Sequence, residues 1–362
     1  MLDFLSSNVV LAKARTMYGR RLTQNDYNEL LKCRNVSEVA GYLKNSTIYS
    51  HALAGIVESE IHRGQLEASL KQELMNDYIS LSKYEAETDV RLSHVIILRD
   101  EIHLLLHTVI LLNAKNAEKR NYYFPPYLLH SSKMDLNALT EVKSIADLKH
   151  ILTGTRYEKL LEPFLGTDDG RIDYTGMENA LYRFFYAEVL KFIKKHSIGE
   201  GQKELLDILN SHLDLVNYVH VVRMKIIYGA DAKTTEKALL PIGTFSKDVM
   251  ENMLKGETET EIQNAILCTD VGKRAMKLQY AYLDDIPERM RYQLCRHYIH
   301  YSIYPPVVLA SYITLSEIEI KNIITVTEGK RYQLPPEQIR KFLIMERPRF
   351  SENYSSKKQE RA

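Results

Sequence analysis

The chain has 362 residues, 45% of them hydrophobic and 26% charged, with a formal net charge of +1 at pH 7. That length exceeds the usual single core, so two or three domains are expected, and the hydrophobic share is ample to fill them. No apolar run approaches the roughly 18 residues a spanning helix needs, and Cys33, Cys268 and Cys295 carry no metal or redox spacing, which argues against a transmembrane chain, a disulfide framework or a cysteine metal site.

Helical spacing begins at once. Residues 8–21 read as a helix, and with Lys13, Arg15, Arg20 and Arg21 but no acid after Asp3 the first 24 residues share one property with a transit peptide. An ordinary amphipathic helix is the preferred reading, because Thr23 with Asp26 three residues later opens the next helix directly. Ile56 and Ile61, then Leu66, Leu70, Leu74, Tyr78 and Leu81, predict a long helix, and so do Leu181, Phe184, Phe185, Val189, Leu190 and Ile193. Between them lies an almost wholly apolar stretch, Ile102 to Leu112. The 15 glycines and 10 prolines gather at breaks such as Pro125-Pro126, Pro305-Pro306 and Pro335-Pro336, leaving helices room to run. Further on, Asn217 to Tyr228, a turn at Gly229-Ala230-Asp231 and a helix from Thr235 to Leu240 are mirrored by Ile318 to Thr327, Gly329 to Leu334 and a last helix from Pro335-Pro336-Glu337 to about Ile344. The runs Val307–Thr314 and Ile318–Val326 favour strands on propensity alone, but the pattern they belong to is helical, so the expected class is all-α.

That pattern is a repeat. Asp100-x-x-His103, Asp214-x-x-Asn217 and Glu319-x-x-Asn322 recur 114 and 105 residues apart. Glu67-x-x-Leu70 returns as Glu178-x-x-Leu181, and Thr47-x-Tyr49 as Thr155-x-Tyr157, while Glu288 is followed by Arg291. A period this long is a domain. The expected units are residues 1–120, 121–231 and 232–345, with the C-terminal helix packing near the N-terminal unit and 346–362 as a basic flexible tail. Because the chain starts and stops part-way through a unit, the orphan pieces at the two ends would complete one another and close three similar domains around a pseudo-threefold axis and a central cavity.

Chemistry is sparse. No glycine-rich phosphate loop precedes a helix. His103 and His107 share a helix face one turn from Asp100, which would offer metal ligands, but so apolar a helix favours a satisfied core or packing pair, and His297 and His300 read the same way. Asp168-Asp169 and Asp284-Asp285 are loop or cap residues. An acid and an amide three residues apart can hydrogen-bond a neighbouring helix end, and three near-equal copies suit a structural lock better than three active sites. No catalytic, cofactor-binding or metal residues are therefore expected, and the structural repeat positions are Asp100, His103, Asp214, Asn217, Glu319 and Asn322. The 24 tyrosines, with no tryptophan, suit helix packing with phenol tips at a polar rim, or a partner surface. Residues 1–34 and 321–362 together carry +8 and the middle −7, a basic sector if the ends meet and otherwise solvated helix faces, and no support for nucleic-acid binding.

The C-terminal stretch Pro305-Pro306-Val307-Val308-Leu309-Ala310-Ser311-Tyr312, then Glu317 to Ile323, Glu328-Gly329-Lys330 and Pro335-Pro336-Glu337-Gln338-Ile339, resembles the C subunit of V-type (A-type) ATPases, itself similar to the vacuolar ATPase d subunit. Asp214-Leu215-Val216-Asn217 with Arg223-Met224-Lys225, and Glu178-Asn179-Ala180-Leu181-Tyr182-Arg183, resemble the same family's second repeat. The likeness spans residues 5–344, and its first repeat departs from it, with His103 where the family favours Asn and no Arg-x-Lys following. The resemblance implies a non-catalytic funnel of three helical domains, without cofactor. It would be a socket in the central stalk, receiving the shaft (D and F type subunits) in its cavity and meeting the membrane proteolipid ring at its base, on the cytoplasmic face and without spanning the membrane. ATP hydrolysis or synthesis would thereby be coupled to H+ or Na+ transport. The competing expectations are a generic helical scaffold for other partners and, resting on His103 and His107, a metal-dependent helical enzyme.

Overall fold

The computed structural model describes residues 2–82, 93–114, 124–166 and 171–345, and among them there is no strand. The chain opens with α1 (Leu2–Gly19), α2 (Gln24–Lys32), α3 (Val36–Ser46) and the long α4 (Arg63–Ser82) and α5 (Ser93–Asn113). Short helices α6 (Pro126–Ser131), α7 (Leu136–Glu141), α8 (Ile145–Leu152) and α9 (Glu158–Leu161) lead to the long α10 (Tyr174–His196) and α11 (Gly199–Val222). A further short run, α12 (Ala232–Ala238), α13 (Lys247–Lys255), α14 (Glu259–Leu267) and α15 (Asp270–Ala275), leads to α16 (Ile286–Tyr301), α17 (Pro305–Arg331) and α18 (Pro336–Phe342). The proposed basic tail, 346–362, lies outside the described residues, as do Asp168 and Asp169.

Side-chain caps set most of the short elements. Thr23 and Ser144 form full capping boxes with Asp26 and Asp147, and Asn35, Asp135, Asp173, Asp231, Ser246, Thr258 and Thr269 each accept a backbone N–H of the first turn. The β-branched C-terminal runs form helix, not strand. Pro305 and Pro306 occupy its first positions, where proline needs no N–H, and burial of Val307, Val308, Ile313, Ile318, Ile320, Ile323 and Val326 outweighs their modest helix penalty. Gly329 does not end α17. It lets α18 approach, since a Cβ there would stand 2.5 Å from Ile339 Cγ1. The helix stops instead at Gln333, whose φ of 55° is left-handed, and Gly229, with φ of 64°, plays the same part after α11 and its π-helical extension Arg223–Ile227. The acids of the repeat do not lead their helices, because α11 and α17 begin well upstream of Asp214 and Glu319.

Long helices pair across the chain as α5 with α10, α11 with α16, and α17 with α4, and α16 also lies along α17. One core gathers Leu98, Ile102, Leu105, Val109, Leu128, Leu139, Leu148, Tyr157 and Leu181 between α5 and α10. A larger one is continuous from α1–α4 through α11–α18.

Polar side chains fasten the short helices to the long ones. On α11, Asn217 Nδ2 donates to Leu240 O at 3.0 Å while its Oδ1 accepts Leu240 N–H at 2.8 Å; on α17, Asn322 makes the same two bonds to Ile344, both at 2.9 Å. Each asparagine thus replaces a missing strand partner for the residue two places beyond a short helix. Arg183 of α10 donates to Lys237 O and Leu239 O at the end of α12, and Arg289 of α16 donates to Lys341 O and Leu343 O at the end of α18. These arginines satisfy carbonyls that a helix C-terminus leaves open and meet the negative end of its dipole. On α4, Gln72 holds the start of α6 by accepting Tyr127 N–H at 3.0 Å.

Replacing Asn322 or Asn217 by alanine leaves a buried carbonyl and N–H without partners, and each substitution is expected to cost about 2–3 kcal/mol. Urea denaturation measures it, and the double variant should lose close to the sum of the two.

Candidate functional site

The six repeat positions fall into two groups. Asp214 accepts Thr244 N–H at 2.8 Å, Phe245 N–H at 3.1 Å and the Thr244 hydroxyl at 2.5 Å, ahead of α13. Glu319 accepts Leu22 N–H at 3.0 Å, ahead of α2, and the Tyr49 hydroxyl at 2.7 Å. With Asn217 and Asn322 beside them, these are helix joints. In the first copy the matching bonds belong to Glu101, not Asp100. Glu101 accepts the Tyr157 hydroxyl at 2.6 Å, as Glu319 accepts Tyr49, and the Ser132 hydroxyl at 2.7 Å; Ser132 in turn receives Met134 N–H, ahead of α7. The register is one residue later than the sequence motif, and Leu104 stands where the other two copies have asparagine. The recurrence of Thr47-x-Tyr49 at Thr155-x-Tyr157 was the signal that would have found Glu101, since both tyrosines serve the acid.

Asp100 and His103 belong to a different setting. Asp100 receives the Tyr127 hydroxyl and lies 3.7 Å from both Lys71 Nζ and Arg99 Nη2. Burial alone would raise its carboxyl, but Lys71 and Arg99 outweigh it and hold it below the ordinary range. His103 and His107 are solvent-exposed, which corrects their expected place in the core: α5 turns Ile102, Leu105, Leu106 and Val109 inward, and the histidines share its open face. The His103 imidazole is still lowered to about 4, by desolvation first and by Arg99 second. His297 and His300 are exposed too. Among the described residues no three His, Cys, Asp or Glu side chains come together as a metal site.

Elsewhere the long helices α5, α10, α11, α16 and α17 converge. A cavity of about 160 Å³ is lined by Val95, Ile96 and Arg99 of α5, Phe185 to Ile193 of α10, Leu205 to His212 of α11, Arg291 of α16 and Pro306 to Glu317 of α17. Its wall is mainly aliphatic and aromatic, with paired charges set into it. Arg99 Nη1 meets Glu317 Oε2 at 2.5 Å, joining α5 to α17, and Arg291 Nη2 reaches both oxygens of Glu288 at 2.8 Å. Burial would raise Glu288, yet Arg291 foremost, with His212 and Lys321, brings it down to about 2. His212 is lowered to about 4 by burial and then by Arg291, so its ring is neutral near pH 7, with Nδ1 3.4 Å from Pro287 O and Nε2 3.3 Å from the Tyr186 hydroxyl. The arrangement has fixed charges and a greasy floor. It suits holding a partner.

Another cavity, of about 380 Å³, lies at the joint of α1, α4 and α17 and is bordered by Tyr18, Arg21, Tyr49, Glu73, Asp77, Tyr312 and Glu319. Burial raises both Asp77 and Glu319 there, the latter to about 7.

The family model described as "ATP synthase (C/AC39) subunit" matches residues 10–342. The chain belongs to this family. Among curated members, the A-type ATP synthase C subunit of Pyrococcus horikoshii is 23% identical over 341 residues, covering 92% of this chain and 88% of that protein. The same subunit of the A-type synthase from Desulfurococcus sp. is 25% identical over 342 residues, with 91% and 88% covered, and that of Thermococcus kodakarensis is 23% identical over 344 residues, with 92% and 88% covered. Family membership therefore extends over all three sets of joints, including the divergent first one, where Glu101 does the work of Asp214 and Glu319.

Glu319 gives the joint a pH dependence whose sign follows from its shift. Its folded pKa of about 7 lies above the ordinary 4.5, so the native state binds the extra proton; its contribution is fully present below pH 4.5 and is lost as pH rises through 7. Stability should fall by about 3 kcal/mol between pH 5 and 8 from this group alone, and Glu319→Gln should flatten that slope in denaturation curves taken across the range.

Proposed function

We propose that this chain is a non-catalytic rotor subunit of an A-type or V-type ATPase, a socket that links the rotating shaft to the membrane proteolipid ring and so couples ATP hydrolysis or synthesis to H+ or Na+ transport. The observation that carries the reading is the cavity built jointly by α5, α10, α11, α16 and α17, which draws one wall from helices spread over residues 95–317. Membership of an ATP synthase subunit family supports it. An apolar floor with charge pairs locked to the wall suits side chains projecting from a shaft, since the floor gives adhesion and the fixed charges give register.

The joints support a three-unit ring. Gln72, Arg183 and Arg289 each reach from one long helix to the short helices that follow the next, and the third unit takes its parts from both ends of the chain, α17 and α18 with α2, α3 and α4. We read the units as α5 to α10, α11 to α16, and α17 with α18 completed by α1 to α4. Those boundaries are shifted from divisions near residues 120 and 231. The site is peripheral in this reading, on the cytoplasmic face of the membrane-bound complex, and no described helix is long and apolar enough to cross a membrane.

Expressed with the shaft and ring proteins, the chain should co-purify with both in fixed stoichiometry. Val189→Lys, which sets a charge in the cavity floor, should lower shaft binding by at least ~10-fold in a pull-down with little change in thermal midpoint. A chain that is stably folded and binds neither shaft nor ring would be a scaffold for other partners instead.

A further inference from the structure

The turn from α10 to α11 and the turn from α16 to α17 lie side by side. Ser302 Oγ donates to Glu204 Oε2 at 2.5 Å, and a Cβ on Gly201 would stand 3.0 Å from the Tyr304 ring. Arg15 of α1 pins the turn after α16, its Nε donating to Ile299 O at 2.8 Å and its Nη2 to Ser302 O at 2.6 Å. These turns are thus rigid. They also carry the three most exposed large apolar side chains among the described residues: Ile198 at 87%, Tyr301 at 74% and Ile303 at 71%. Two isoleucines held open to water on fixed adjacent turns are costly to a chain with no use for them.

Their surroundings narrow the choice of occupant. The last turns of α10 bring Lys191, Lys194 and Lys195 to the surface, and the start of α11 adds Lys203. Of the nearby acids, Glu188 and Glu200 are engaged by Lys191 and Lys203, and Glu204 accepts from Ser302. Positive charge is in excess around an apolar point. A hydrophobic protein pocket would match the isoleucines and not the lysines, and an acidic protein surface the reverse. Aliphatic tips, a tyrosine just behind them and a lysine fringe together match the layers of an anionic bilayer, whose acyl boundary, headgroup level and phosphates take these three kinds of side chain in that order.

We propose that these paired turns rest on an anionic lipid surface, Ile198 and Ile303 entering the headgroup layer while Lys194, Lys195 and Lys203 meet the lipid phosphates. The contact is superficial and needs no spanning helix. It stands apart from the coupling role, because it concerns lipid and not the shaft or the ring.

Flotation of the purified full-length chain with phosphatidylcholine vesicles, with and without one quarter phosphatidylglycerol, tests it. Binding is expected to the anionic vesicles, falling on the order of 10-fold between 0.05 and 0.5 M salt. Ile198→Asp with Ile303→Asp, and separately Lys194→Glu with Lys195→Glu, should each reduce the bound fraction by roughly 10-fold while the helical circular dichroism and thermal midpoint stay unchanged. Binding that both double variants retain would overturn the proposal, as would no binding to either vesicle. Loss of binding to the detergent-purified proteolipid ring in Ile198→Asp with Ile303→Asp, with no affinity for lipid in the parent, would give the face to a protein and overturn the lipid assignment. Failure to co-purify with the ATPase would count against the rotor reading and leave the vesicle result untouched.

Discussion

Every helix leaves carbonyls open at one end and N–H groups open at the other, and in this protein many of those ends are buried against other helices where water cannot serve them. The fold depends on supplying partners from distant parts of the chain. Asn217 and Asn322 do so with an amide that both donates and accepts, Arg183 and Arg289 with a guanidinium laid across a C-terminus, and Lys330 with an ammonium on Leu31 O at 2.5 Å. Each of these side chains spends its polar atoms on backbone groups of a short helix or its exit, so the joints fix where short helices sit as well as whether they form.

Tyrosine is the other half of that scheme. Tyr49, Tyr157, Tyr298 and Tyr312 place their rings among apolar neighbours and donate their hydroxyls to Glu319, Glu101, Asp207 and Asp77. A phenol fills core volume and ends in a donor, which tryptophan does less compactly, and the use of 24 tyrosines with no tryptophan is understandable on that ground. Elsewhere arginines meet the carboxylates instead, Arg99 at Glu317 and Arg291 at Glu288, beside the cavity between α5, α10, α11, α16 and α17.

The helical class was legible because periodicity survives divergence. Asp214, Asn217, Glu319 and Asn322 could be read because both members of each pair persist. Glu101 could not, since its amide partner is Leu104 and the adjacent Asp100 offered a motif one residue early. Continuity of α17 was hidden by Gly329, which spacing marks as a break but which the structure uses for close approach to Ile339. The cavity pairs Arg99–Glu317 and Arg291–Glu288 differ in a way that explains their silence: the former joins residues more than two hundred positions apart, and the latter is indistinguishable from any surface i,i+3 pair until its burial is known.

One joint has a bearing on how the chain reaches its structure. Leu22, Leu31 and Tyr49 are satisfied or packed by α17, so the first helices lack their final partners until almost the whole chain has been synthesised. Vectorial folding on the ribosome would stall there, with Tyr27, Leu30 and Leu43 waiting exposed while α5 to α10 assemble first around their own core. Contacts between residues 22–49 and α17 are thus among the most sequence-distant in the fold, which is the kind of contact that forms slowly.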